Sequence, residues 1–299
     1  MSPSLAFLLG RGIAHSLSPA MHNAGFAALG IDARYAGLDV EPDGLDRAVA
    51  RLRRPDCLGA NVTMPYKRAV VDRADTMSAA VRRCGAGNLL VSRAGRLALD
   101  NTDVTAIRMC LARRARQLEG GTAAVVGAGG SAAAALEALR GLPVREVLVL
   151  ARRPPAAAAL AARYRGQPGA PLTVLPLAAA ESGLLARCAV LVNATPLGMA
   201  ADDPSPVPVQ QLHPPLLVYD LVYRLDGPTA LQRAARDRGC GVADGLTHLL
   251  GQAGPTFEAL TARPAPWAAM RAALVEAAQR EPMAFGWDRG AAALSAGPS

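Results

Sequence analysis

The sequence predicts an α/β protein, read as two domains with one large α/β domain as the competing arrangement: an N-terminal open α/β unit is followed by a more regular one. Three observations carry this. The chain has 299 residues, more than a single core usually serves. Short apolar strands alternate with Ala-rich helical stretches nearly throughout, the pattern of parallel sheets covered by helices. One of these strands, Thr122–Val126, runs straight into the glycine-rich turn Gly127-Ala128-Gly129-Gly130 and then a helix.

In order, residues 5–10 read as the first strand. Ser18-Pro19 reads as a helix cap with Pro at the first helical position, opening a helix that runs to Gly30. Residues 35–40 are a second strand, 45–53 a helix and 58–62 a third strand. Residues 89–92 and 96–99, joined by Arg93-Ala94-Gly95, form a hairpin, and 103–117 is one long amphipathic helix bridging to the second unit. There the strands Thr122–Val126, 146–150, 172–175, 189–193 and 216–220 alternate with helices, the first of them at 133–140. Residues 246–260 and Trp267–Ala278 are two last helices, expected to pack back on the first unit. The expected domains are therefore 1–102 plus 240–281, and 103–239. From Pro282 the composition turns to Gly, Ala, Ser and Pro, so 282–299 is expected to be a disordered tail.

Composition excludes several classes. No stretch approaches the roughly 20 apolar residues that span a bilayer, and the first residues lack a basic region followed by a small-residue cleavage site. A soluble, cytoplasmic protein without a membrane partner is expected. The five cysteines have no paired spacing and the four histidines no His-x-x-x-His pair, so neither a disulfide framework nor a metal is expected. The net charge of +8 comes from singles and pairs of basic residues interspersed with Asp and Glu, and aromatics are only 4%. With no zinc-finger or RNP-type motif, no nucleic-acid partner is expected; a basic surface that draws small anions accounts for the charge. The basic side is nearly all arginine, and Lys67 is the only lysine among 32 basic residues. A coding bias replaces Lys by Arg wherever a generic positive charge suffices. A position that stays Lys is a candidate for what Arg lacks, a proton it can give up.

The turn Gly127-Ala128-Gly129-Gly130-Ser131-Ala132 fits G-x-G-x-x-A after a strand and before a helix, the context of a Rossmann-type dinucleotide site. Glycines let the backbone approach a pyrophosphate, and the helix N-terminus offers unpaired N–H groups. A small-residue turn in an Ala-rich chain is the alternative, and the flanking strand and helix weigh against it. An NAD site would place Asp or Glu at the end of the next strand. Here Ala151-Arg152-Arg153 follows, and two guanidiniums can clamp a 2′-phosphate. NADP(H) is the expected cofactor.

Three further stretches stand out: His15-Ser16-Leu17-Ser18-Pro19-Ala20-Met21-His22-Asn23, Asn61-Val62-Thr63-Met64-Pro65-Tyr66-Lys67, and Asn101-Thr102-Asp103. With the glycine turn, Asn193-Ala194-Thr195-Pro196-Leu197-Gly198-Met199, Asp244-Gly245 and Gln252, they follow the order and separations of the signature blocks of shikimate dehydrogenases. From residue 5 to 278 the chain resembles that family. The resemblance implies NADPH-dependent reduction of 3-dehydroshikimate to shikimate, a step of aromatic amino acid biosynthesis, by a monomer or homodimer. It makes 1–102 plus 240–281 the substrate-binding and catalytic domain and 103–239 the NADP-binding Rossmann domain, with the reaction in a cleft between the two. It implies that Ser16 and Ser18 hold the substrate carboxylate, and that Thr63, Asn88 and Gln252 hold its hydroxyls beside Tyr223. Lys67 and Asp103 become the catalytic pair, and the glycine turn, Arg152, Arg153, Thr195, Leu221 and Gly245 the cofactor contacts. The residue types suit the chemistry: hydride arrival at a carbonyl develops an alkoxide, which an ammonium can stabilise and protonate.

The chain also departs from the family pattern. The usual G-A-V-N-T-L is Gly85-Ala86-Gly87-Asn88-Leu89-Leu90, which puts a threonine hydrogen bond in doubt. Leu99, Val104 and Ala106 stand where glycines commonly flank Asn-Thr-Asp, Ala151-Arg152-Arg153 replaces N-R-[T/S], His248 replaces a methionine and Leu225 a proline. Two other readings stay open: a relative acting on quinate or an amino-shikimate, and a ligand-binding member that kept the fold without turnover. Quinate-active members often use NAD, against which the Arg pair counts. Retention of both Lys67 and Asp103 counts against the non-catalytic reading.

Overall fold

The computed structural model describes residues 3–279 and arranges their strands in two six-stranded sheets. The tail expected at 282–299 lies outside the described residues.

The first sheet is built around β1 (Ser4–Gly10), followed by α1 (Ser18–Ala28), β2 (Ala33–Asp39), α2 (Leu45–Arg51), β3 (Cys57–Val62), β4 (Thr76–Met77), α3 (Ala79–Cys84), β5 (Leu89–Arg93) and β6 (Arg96–Asp100). Strands run in the order β2-β1-β3-β5-β6-β4; β1 lies parallel to β2 and β3, and β5 antiparallel to β3 and β6. β1 reads as a continuous apolar run because both faces are covered. Phe7 and Leu9 enter a core with Val40, Leu52 and Val62, while Ala6 and Leu8 face Met21 and Phe257 on the other side.

Two local expectations change here. Ser18 is not the cap of α1: Leu17 holds that position without a side-chain bond, and Ser18 and Pro19 form the first turn. The expected helix over 103–117 is two helices, α4 (Thr102–Ala112) and α5 (Ala115–Leu118). Arg114 leaves the helical region at φ −112°, ψ 17°, which re-aims the chain so that Leu118 is buried beside the second sheet.

That sheet contains β7 (Thr122–Val126), β8 (Glu146–Ala151), β9 (Leu172–Pro176), β10 (Cys188–Asn193), β11 (Leu217–Asp220) and β12 (Gly241–Ala243), with α6 (Gly130–Leu139), α7 (Pro154–Ala162) and α8 (Ala230–Asp237) between them. All six strands are parallel, in the order β12-β11-β10-β7-β8-β9. This is the doubly wound order, and its strand order reverses between β7 and β10. Ligands of such sheets bind in the crevice outside the strand ends at that point. β12 pairs with β11, so the second sheet continues to Ala243, beyond the boundary expected at 239. The chain then returns through α9 (Gly245–Thr261), which packs on α4 and α1, and α10 (Trp267–Ala278), which packs on α1. Among the described residues no helix is long and apolar enough to cross a membrane.

Candidate active site

A cleft of about 220 Å³ opens between the C-terminal ends of β1 and β3 and the reversal point of the second sheet. Lys67 enters it from the loop after β3, and Asp103 from the first turn of α4, whose cap is the Asn101 side chain accepting from the Val104 N–H. Lys67 Nζ donates to Asp103 Oδ2 at 2.7 Å and to Ser131 Oγ at 3.3 Å. The Asp103 side chain is 3% exposed and that of Lys67 12%. Asp103 Oδ1 accepts from Asn88 Nδ2 at 2.7 Å and lies 3.2 Å from His248 Nε2. Burial alone would push the Asp103 carboxyl up. The Lys67 ammonium and the His248 bond outweigh burial and hold the carboxyl well below the usual carboxylate range. Asp103 is therefore a fixed anion that keeps a primary ammonium at the cleft.

A polar floor supports the pair. Asn88 Oδ1 accepts from Thr102 N at 2.6 Å and from Thr102 Oγ1 at 3.1 Å, which orients its amide toward Asp103. Asn61 Nδ2 donates to Gln252 Oε1 at 3.2 Å and Thr256 Oγ1 at 3.1 Å, and its Oδ1 accepts from the Tyr35 hydroxyl at 2.8 Å. Thr63, Asn88 and Gln252, expected at the substrate hydroxyls, all line the cleft. Asn61 and Thr102 appear in the sequence only within their motif blocks, with no site role assigned to either. An asparagine in the otherwise apolar β3 was the available signal.

At the cleft's other end stand Ser16, Ser18 and Tyr223. Ser16 Oγ accepts from Ser18 N at 3.3 Å, and Tyr223 stands beside them. Burial raises the Tyr223 phenol, and the Leu17 backbone and the Ser16 hydroxyl offset this only in part, so it remains a neutral donor. With Leu17 as the cap, the Ser18 hydroxyl is not committed to the end of α1.

Most of the residues expected to contact the cofactor gather at the reversal point. Gly127 has φ 122°, and a Cβ there would sit 2.9 Å from the Ala194 carbonyl oxygen, so only glycine suits this turn. Gly129 caps α6 without a side-chain bond, and nothing would stand within 4 Å of a Cβ on it. The open, donor-rich end of α6 fits a pyrophosphate. Behind it Ala128 and Ala132 pack against the core, while Ser131, Thr195, Leu221 and Gly245 line the cleft. Thr195 Oγ1 donates to Asn193 Oδ1 at 2.7 Å, and Asn193 Nδ2 to Asp220 Oδ1 at 2.8 Å, which fixes this loop on β11. Arg152 and Arg153 are exposed and follow β8 directly. Because Gly127 N donates to Leu150 O at 2.9 Å, they sit beside the glycine turn and outside the cleft itself.

Two departures resolve into packing. Leu89 is fully buried in the first unit's core and does not reach the cleft. A Cβ on Gly87 would lie 2.5 Å from the Leu99 side chain, so the glycine at 87 and the leucine at 99 exchange volume with each other.

Residues 8–90 match the family model described as the shikimate dehydrogenase substrate binding domain. A curated relative from Rubrobacter xylanophilus, named shikimate dehydrogenase (NADP(+)), is 41% identical over 275 residues, 91% of this chain and 95% of its own length. The crystal structure of shikimate 5-dehydrogenase from Thermus thermophilus in complex with NADP(H) and shikimate is 33% identical, with a TM-score of 0.79 over 92% of this chain and 99% of that one. A quinate dehydrogenase from Corynebacterium glutamicum in complex with NAD is 29% identical, with a TM-score of 0.80 over 92% of this chain and 99% of its own.

Proposed function

The chain belongs to the shikimate dehydrogenase family, and on that premise we propose that Lys67 and Asp103 carry its reaction in the cleft between the two sheets. It is an NADP-dependent dehydrogenase that reduces 3-dehydroshikimate to shikimate reversibly. The observation behind the residue assignment is the place of Lys67 Nζ, 2.7 Å from Asp103 and 3.3 Å from Ser131 in the first turn of α6. The only amine side chain thus stands between a pocket of neutral hydroxyls and amides and the helix end that suits a dinucleotide.

NADPH, when bound, supplies the hydride. The Lys67 ammonium stabilises the negative charge that grows on the substrate oxygen and then protonates it. Asp103 keeps that ammonium in place. Ser16 and Ser18 take the carboxylate, and Thr63, Asn88 and Gln252 the hydroxyls, with Tyr223 closing the pocket. Arg152 and Arg153 hold the 2′-phosphate, whose charge an acidic side chain at this strand end would repel. We assign the substrate side to residues 1–102 with α9 and α10, and the cofactor side to 103–243. A cytoplasmic place suits the enzyme, because its five cysteines are all free and buried, as in a reducing compartment.

The test is steady-state oxidation of shikimate and of quinate with NADP and with NAD. The expected outcome is the highest kcat/KM for shikimate with NADP, by about tenfold or more over either exchange. A preference for quinate with NAD would move the protein to the reading represented by the Corynebacterium structure. No turnover with any pair would favour a ligand-binding protein. Replacing Arg152 and Arg153 together by Glu should erase the NADP preference while leaving the KM for shikimate in place.

A further inference from the structure

His248 stands where the family pattern has a methionine, a side chain that cannot donate a hydrogen bond. It lies in the first turns of α9, with its side chain 9% exposed at the edge of the cleft. Both ring nitrogens are engaged. Nε2 is 3.2 Å from Asp103 Oδ1, and Nδ1 is 3.0 Å from the hydroxyl of Tyr219 on β11. The Tyr219 ring meets the imidazole edge-on, with centroids 5.8 Å apart and planes at 81°.

These contacts fix the tautomer. An ionised carboxylate only accepts, so the proton of a neutral imidazole must sit on Nε2. Nδ1 is then an acceptor, and the Tyr219 hydroxyl donates to it; burial raises that phenol and keeps its proton in place. Asp103 thereby has three donors from three parts of the chain: Lys67 on Oδ2, and Asn88 and His248 on Oδ1. Without His248 the Oδ1 side rests on Asn88 alone, and the carboxylate gains freedom to turn with the ammonium attached to it. Tyr219 is also two residues before Leu221, a cleft residue on the cofactor side. The imidazole therefore bridges the anion that holds the proton donor and the strand that leads into the cleft at Leu221.

We propose that His248 is a positioning residue for this reaction, holding Asp103 against Lys67 and tying that pair to β11 through Tyr219. The proposal rests on Lys67 and Asp103 being the reacting pair.

The experiment uses the full chain with His248→Met, His248→Gln and Tyr219→Phe, assayed with 3-dehydroshikimate and NADPH, ordinary or deuterated at the transferred hydrogen. His248→Met should lower kcat about tenfold, the scale of a lost bond to a charged group. Both KM values should stay within about twofold, and the primary isotope effect on kcat should rise as hydride transfer becomes slower relative to product release. His248→Gln keeps an N–H for Asp103 and should recover part of kcat, and Tyr219→Phe should show the same pattern at smaller size. Wild-type kcat and isotope effect in His248→Met would overturn the proposal. So would a fall in kcat with both KM values rising in parallel and an unmoved isotope effect, the mark of disturbed packing. If His248→Met does not fold, the other two variants decide between the same outcomes. A wild-type protein that turns over neither shikimate nor quinate would instead sink the Lys67–Asp103 reading, and this proposal with it.

Discussion

A Cβ placed on Gly130 would lie 2.7 Å from the Cβ of Lys67, so the loop that carries the proposed proton donor rests directly on the first residue of α6. Gly130→Ala therefore separates two effects. Alanine is the better helix former at an opening position, but here it must push the stiff base of Lys67 away from the cleft. The expected outcome is a melting temperature within a few degrees of wild type and a kcat/KM lower by on the order of 10²-fold, the scale of a small misplacement of a reacting group. Unchanged kinetics would mean that the loop yields without moving Nζ.

Lys67 itself can be tested for what it contributes beyond charge. Lys67→Met should lower kcat by roughly 10²–10⁴-fold, the range of general-acid contributions, while NADPH titration still reports binding. Lys67→Arg keeps the charge but has a pKa above ~12 and is a poor proton donor. Its kcat should stay close to that of the Met variant. Near-normal turnover would show that only the charge matters.

Asp103 makes stability depend on pH with a definite sign. Its folded value is depressed, whereas an unfolded aspartate titrates near ~3.9. As pH falls the unfolded chain takes up this proton first, so the stabilisation is complete above ~4 and is lost below it. Asp103→Asn breaks a buried pair and should cost on the order of 3 kcal/mol at neutral pH. Urea midpoints of variant and wild type should converge as pH falls from about 4 toward 2. A gap that stays constant over that range would mean that Asp103 is not held ionised.

Much of this architecture is legible in the sequence. β7 lies where its apolar run predicts, because a parallel strand buried on both faces carries its own limits. The three-residue β12 and the two-residue β4 are too short to carry a period and come only from pairing with β11 and β6. The break between α4 and α5 hides behind Arg113 and Arg114, good helix formers that leave the amphipathic pattern uninterrupted. Ser18-Pro19 has the composition of a cap, and only the backbone reveals Leu17 in that place. The residues facing the cleft are legible because they lie in contiguous motif blocks. The floor beneath them is not, since Asn61 meets Gln252 across 191 positions and Tyr219 on β11 meets His248 on α9. Such pairings leave no local spacing to read.

The exchange of volume between Gly87 and Leu99 links a departure in sequence to the proposed reacting pair. Gly87 N donates to the Lys67 carbonyl at 2.8 Å, and the next residue, Asn88, holds Asp103. Strain at 87 thus reaches both Lys67 and Asp103. Gly87→Val drives its side chain into Leu99 and should cost about 1–3 kcal/mol of stability, as overpacking does. Leu99→Gly empties a site that is 1% exposed and should cost about 3 kcal/mol or more. The double variant restores the family's arrangement, valine at 87 with glycine at 99. It should be more stable than the sum of the single losses by about 1–3 kcal/mol, and it should recover kcat that Gly87→Val loses. Urea denaturation of the four proteins measures the coupling. Additive losses would mean that the two positions do not share one space.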